Sequence, residues 1–122
     1  MKFLRCRHCG NIITKLHDSG VKVECCKEVM GELEANTVDA STEKHVPVVS
    51  TCKNVLRVKI GSQPHPMTKE HYIEFIAVDN AGKVYIEFLT PDMPAEAKFT
   101  IDPTRPVAVY EYCNLHGLWT VK

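Results

Sequence analysis

The chain has 122 residues, with 15 Lys and Arg against 15 Asp and Glu, six Cys, six His, 44% hydrophobic and 25% charged residues. That balance is the composition of an ordinary globular protein and excludes disordered, collagenous and coiled-coil classes. A formal net charge of zero also argues against a general nucleic-acid binder, which would need a broad cationic excess to neutralise phosphates.

The opening segment, Met1-Lys2-Phe3-Leu4-Arg5-Cys6-Arg7-His8-Cys9, has no apolar stretch and no small-residue cleavage site, so no secretory signal is expected. No run approaches the roughly 18 apolar residues of a membrane span either. A cytoplasmic location follows as the expectation, and there thiols stay reduced, so clustered cysteines read as metal ligands or redox groups before disulfides. Cys6-Arg7-His8-Cys9 is followed, after 15 intervening residues, by the adjacent pair Cys25-Cys26. A C-x-x-C turn lets two thiolates converge on one ion, and a second pair from a distant segment completes a tetrahedron. Two disulfides, free thiols or a redox dithiol are the alternatives, the last lacking its usual βαβ context. Gly10 suits the tight knuckle because glycine enters left-handed backbone without penalty. Zinc and iron both accept four sulfurs, and the adjacent pair departs from a zinc ribbon built on two C-x-x-C halves. His8 and His17 read as surface residues.

Residues 1–36 are too few to bury a core unaided, since segments below about 40 residues usually need a metal, disulfides or a partner chain. No helix is expected; Lys27–Ala35 contains Gly31 and lacks a clear cap, so it should form at most a short turn. Residues 34–44 are polar and without apolar periodicity, as a linker should be. The remainder reads as strands: Asn54–Ile60 with alternating Val55, Leu56, Val58 and Ile60, then His71–Val78, a turn at Asp79-Asn80-Ala81-Gly82, and Lys83–Leu89. Ala97–Ile101, Val107–Tyr112 and Leu118–Val121 follow between Pro91, Pro94, Pro103 and Pro106. Short strands punctuated by turns predict an antiparallel sandwich, giving a module over 1–36 and a β-sandwich domain over 37–122.

This second half holds Glu43-Lys44-His45-Val46-Pro47, His65-Pro66-Met67, His71-Tyr72-Ile73 and Cys113-Asn114-Leu115-His116. A rigid β-scaffold can aim residues at strand ends towards a common point, and four imidazoles with one thiolate suit a non-haem iron before copper or zinc. Cys113 and His116 as a nucleophile–base dyad is the weaker reading, because no nucleophile signature surrounds the cysteine. Cys52 reads as a small buried hydrophobe.

Taken together, these motifs resemble the desulfoferrodoxins, the two-iron class of superoxide reductase, over essentially the whole chain. The resemblance implies a mostly β fold, a desulforedoxin-like module followed by an immunoglobulin-like sandwich. It assigns Cys6, Cys9, Cys25 and Cys26 to a ferric four-thiolate centre. It assigns His45, His65, His71 and His116 as equatorial ligands and Cys113 as axial ligand of a second, ferrous iron with an open sixth position. Lys44 would attract superoxide and Glu43 would ligate the oxidised iron. One-electron reduction of superoxide to hydrogen peroxide, rubredoxin or a similar small protein as donor, and a homodimer are the further implications. Phe75 departs from the family pattern, in which Trp is common near the iron. An electron carrier without superoxide chemistry, or a zinc-bearing binding module, are the competing functions.

Overall fold

The Val55–Ile60 alternation puts Leu56, Val58 and Ile60 on one face, and in the computed structural model, which describes residues 1–39 and 44–121, all three are buried. Two compact units divide the chain, Met1–Glu34 and Ala35–Lys122. Among the described residues every strand pairs antiparallel with its sheet neighbours and no helix occurs, so none is long and apolar enough to cross a membrane.

The first unit uses five two-residue strands: β1 (Leu4–Arg5), β2 (Ile12–Ile13), β3 (Glu24–Cys25), β4 (Glu28–Val29) and β5 (Gly31–Glu32). They form a three-stranded sheet in the order β2-β1-β5 and the hairpin β3-β4. The segment expected to be a short turn thus carries β4 and β5. Its two-residue strands are too short to show a period, which is why sequence alone did not reveal them. Between β1 and β2 the chain turns on Gly10, whose backbone is left-handed at φ 83° and whose N–H donates to the Cys6 carbonyl at 2.9 Å. The β3–β4 turn consists of Cys26 and Lys27, with φ of 52° and 63°. Positive φ at both central residues is the type I′ geometry that matches strand twist, here adopted by two residues with side chains at about 1 kcal/mol or more each.

The second unit stacks two sheets. One runs β10-β7-β6, from β6 (Pro47–Cys52), β7 (Val55–Ile60) and β10 (Glu96–Thr100); the other runs β12-β11-β8-β9, from β8 (Ile73–Asn80), β9 (Lys83–Phe88), β11 (Val107–Cys113) and β12 (Gly117–Thr120). Leu56, Val58, Ile60 and Phe99 of the first sheet meet Ile73, Ile76, Val78, Val109 and Cys113 of the second in one core. This is the expected sandwich. β6 was not foreseen: only Pro47 of its six residues is buried, so it has no apolar alternation. Cys52 ends this edge strand and is exposed, correcting the expectation of a buried hydrophobe. Nothing covers β6 beyond Pro47, so its last residue faces solvent with the rest of the strand.

Register matters most on β11. Glu111 opposes Ile76 and Tyr112 opposes Phe75, but Cys113 opposes Ile73, so Glu74 is the extra residue of a bulge. Asn80, 2% exposed at the other end of β8, donates from Nδ2 to the carbonyls of Asp102 (3.1 Å) and Pro106 (3.2 Å) and accepts from the Asp102 N–H at 2.7 Å. Replacing it removes hydrogen bonds to three backbone groups that hold the 102–106 loop to β8. Asn80→Ala should therefore cost about 2–3 kcal/mol in urea or thermal unfolding, and a loss below about 0.5 kcal/mol would show that these bonds are readily replaced by water.

Candidate metal centres

The first unit brings Cys6, Cys9, Cys25 and Cys26 together, their sulfurs all within 4.8 Å of one another. Cys6 and Cys9 come from the Gly10 knuckle, Cys25 from the end of β3 and Cys26 from its turn. None of the six cysteines is in a disulfide, and the Cys9–Cys25 sulfur separation of 3.6 Å is far beyond a disulfide bond. The Cys9 N–H points at the Cys6 sulfur (3.5 Å) and, as the largest influence, lowers that thiol to about 6. Cys26 is pushed up to about 12, first by its hydrogen bond to Cys6 and then by that to Cys9, while Cys25 is raised mainly by Cys9. Four sulfurs this close oppose joint ionisation until a cation compensates them. That donor set fits a soft tetrahedral metal.

His8 and His17 do not join the sulfur set. His8 Nε2 instead meets the Glu28 carboxylate, which Arg7 also contacts through Nε at 2.9 Å, so Glu28 is held below the usual carboxylate range by His8 first and Arg7 second.

The second unit assembles the other set. Ligating atoms of His45, His65, His71 and Cys113 lie within 4.8 Å of one another. His116 presents Nδ1, 3.1 Å from His45 Nε2 and 3.8 Å from the Cys113 sulfur. The four imidazoles stand at the corners of a near-square, with neighbouring centroids 4.7 Å (His45–His65), 4.7 Å (His65–His71), 5.1 Å (His71–His116) and 4.8 Å (His116–His45). The His45–His71 diagonal is 6.4 Å, the proportion of a slightly compressed square. Neighbouring rings are turned 65–80° to each other, so each can aim a nitrogen inward without a clash.

Local structure sets these aims. His65 Nδ1–H donates to the Pro66 carbonyl at 2.7 Å, which fixes the tautomer whose Nε2 carries the lone pair. Asn114, next to Cys113, accepts from the Tyr72 N–H (3.0 Å) and donates to the Glu70 carbonyl (3.0 Å), tying the Cys113 turn to the segment bearing His71. The Trp119 ring stacks on His45 at 4.7 Å and 13°, and its indole N–H donates to the His116 carbonyl at 3.1 Å. Phe75, the departure from the family pattern, stacks instead on Tyr112 at 5.8 Å. Four nitrogens and one sulfur on a preformed frame fit a mononuclear redox metal with a position left over, unlike the closed sulfur set. Lys44 directly precedes His45 and is half-buried; Glu43 lies outside the described residues.

Two neighbours of the site escaped the sequence analysis. Trp119 could have been found from its position three residues after His116 on a short strand. Glu111 carried a clearer signal, an acid in phase with Val109 and Cys113 on the core face of β11. Its carboxyl is fully buried and neither oxygen has a hydrogen-bond partner among the described residues. Burial, and secondarily the charge of Asp39, raises it well above its ordinary 4.5. The folded chain therefore keeps a proton that the unfolded chain gives up, so folding stability is full below about pH 4.5 and falls as pH rises towards the folded value. Glu111→Gln should abolish that decline, and thermal melts of the two proteins from pH 5 to 8 should show a gap widening in favour of the variant. A pH-independent gap would exclude the buried proton.

Comparison with known proteins agrees with the two donor sets. A desulfoferrodoxin family model matches residues 37–122. Desulfoferrodoxin of Syntrophotalea carbinolica is 43% identical, covering 98% of this chain and 94% of its own length; that of Nitratidesulfovibrio vulgaris is 44% identical, covering 94% and 90%. Among solved structures, superoxide reductase from Treponema pallidum superposes with a TM-score of 0.77 at 31% identity, covering 99% of this chain and 96% of that one. The four-cysteine cluster and the four-histidine, one-cysteine set match the two-iron class, and the chain belongs to the desulfoferrodoxin family.

Proposed function

We propose that the chain is a superoxide reductase, catalysing superoxide plus one electron and two protons to hydrogen peroxide without dismutation. The observation that carries this reading is the near-square of four imidazoles with the Cys113 sulfur beside it, a donor set that leaves one position for an anionic oxygen species. Iron held there supplies a one-electron couple and an open coordination position.

The chain's own groups do the rest. His45, His65, His71 and His116 would hold that iron through ring nitrogens, and the Cys113 thiolate would add a negative, electron-donating sulfur to the set, as a cysteine ligand does in haem proteins. The Pro66 carbonyl holds the His65 ring, and Trp119 covers one face of His45 against water. Lys44 would draw the superoxide anion in and stabilise its negative charge near the site. The resemblance gives Glu43 the role of filling the open position in the oxidised state. Cys6, Cys9, Cys25 and Cys26 hold the second iron, in a module over residues 1–36 separate from the catalytic domain over 37–122. Rubredoxin or a similar small protein supplies electrons, and the working form is a homodimer.

Metal analysis with an absorption spectrum and pulse-generated superoxide tests the proposal. Two irons per chain, rapid consumption of superoxide and peroxide formation without oxygen release are the expected results. Zinc alone would point to a binding module, and two irons inert to superoxide would point to an electron carrier.

A further inference from the structure

The segment bearing Lys44 and His45 is gripped from two sides by residues outside the ligand set. Asp39 Oδ1 accepts from the His45 N–H at 2.5 Å and from the Val46 N–H at 2.8 Å, so one carboxylate oxygen fixes two successive amides. Opposite acts Gly61, whose N–H donates to the Val46 carbonyl at 3.3 Å. A Cβ built on Gly61 would fall 2.3 Å from the Lys44 carbonyl oxygen and 2.8 Å from that of Gln63, and its backbone is left-handed at φ 81°. The space against Lys44 therefore admits no side chain. Lys44 is thus located by its own backbone, held between an anion bonded to the next two amides and a glycine pressed against its carbonyl.

We infer that Asp39 is a positioning residue, which with Gly61 clamps Lys44–Val46 and so sets where the Lys44 charge and the His45 ring stand relative to the open metal position. The inference rests on the superoxide-reductase reading for its consequence, but the clamp itself is a property of the chain. A carboxylate suits the task because charge-assisted acceptance from two N–H groups is stronger than a neutral acceptor could give.

Hydrogen exchange and kinetics on the iron-loaded protein separate the two layers. In Asp39→Ala, exchange of the His45 and Val46 amides, read by mass spectrometry of the peptide that contains them, should speed by about tenfold or more. The superoxide rate should fall about tenfold, and its dependence on ionic strength should flatten. Asp39→Asn, which keeps an acceptor oxygen, should restore most of the protection and the rate. Gly61→Ala should produce the same local loss of protection with Asp39 intact, and it carries the test if Asp39→Ala does not load iron. Unchanged exchange in both variants overturns the clamp. Faster exchange with a superoxide rate within twofold of the parent overturns its functional role, and a slowed rate with the parent's salt slope overturns the part assigned to Lys44. A parent protein that holds both irons and protects these amides but ignores superoxide would instead defeat the functional proposal and leave the clamp standing.

Discussion

Cys113→Ser is expected to leave the chain with one iron where the parent holds two, and to abolish its reaction with superoxide. Cys113 is fully buried, sits opposite Ile73, and belongs at once to the apolar core and to the histidine set. An alcohol fills nearly the same volume, so the sandwich should survive, but at neutral pH it offers no anion to the metal. Changing groups that merely orient a ligand typically lowers metal affinity by 10–100-fold. Loss of a ligand itself should cost at least about a hundredfold on that scale, read as a fall in bound iron under matched loading. His71→Ala should act alike, removing one corner of the near-square. The absorption of the four-thiolate centre serves as internal control: it should persist in both variants, because its ligands all lie within the other compact unit. Retention of two irons with an unchanged spectrum would refute the ligand set.

Lys44→Ala should slow the bimolecular reaction with superoxide by about tenfold at low salt, with iron content unchanged, because steering by local charge changes encounter rates by 10–10³. The chain as a whole carries no net charge, so attraction of an anion must come from nearby groups. At 0.1 M salt the Debye length is about 10 Å, and the advantage of the parent over Lys44→Ala should shrink accordingly as salt rises. Lys44→Arg, which retains the charge, should keep most of the rate. Equal rates and equal salt slopes for parent and Lys44→Ala would remove Lys44 from the mechanism.

That the four cysteines would gather was legible from the C-x-x-C and adjacent-pair spacing, and that His45, His65, His71, Cys113 and His116 would gather was legible through the family resemblance, since they lie far apart in the chain. Leu56, Val58 and Ile60 were equally legible, since one strand with one buried face writes a period of two. β6 was not, because an edge strand exposed along nearly its whole length writes no period. Nor was the exposure of Cys52, which depends on that edge. Asp39 looked like part of a polar linker, and nothing in the sequence singled out Gly61. Their common function lies in a tertiary meeting on the Lys44–Val46 backbone, and backbone acceptors and steric gaps leave no residue-type signature. Glu111 could have been noticed from strand phase alone, but its meaning needed the sheet beside it.

The bulge on β8 decides what faces the thiolate. Uninterrupted pairing beyond Tyr112 and Phe75 would set Glu74 directly across from Cys113, with Cβ atoms about 5 Å apart on the same face. Two negative groups at that distance disfavour each other's ionisation, so a carboxylate there would favour a protonated sulfur, a poorer electron donor. One extra residue turns Glu74 aside and brings the fully buried Ile73 opposite instead. The donor strength of the cysteine is therefore encoded partly in pairing register: closing the bulge with every residue kept would exchange an apolar neighbour for a charged one without altering a single ligand.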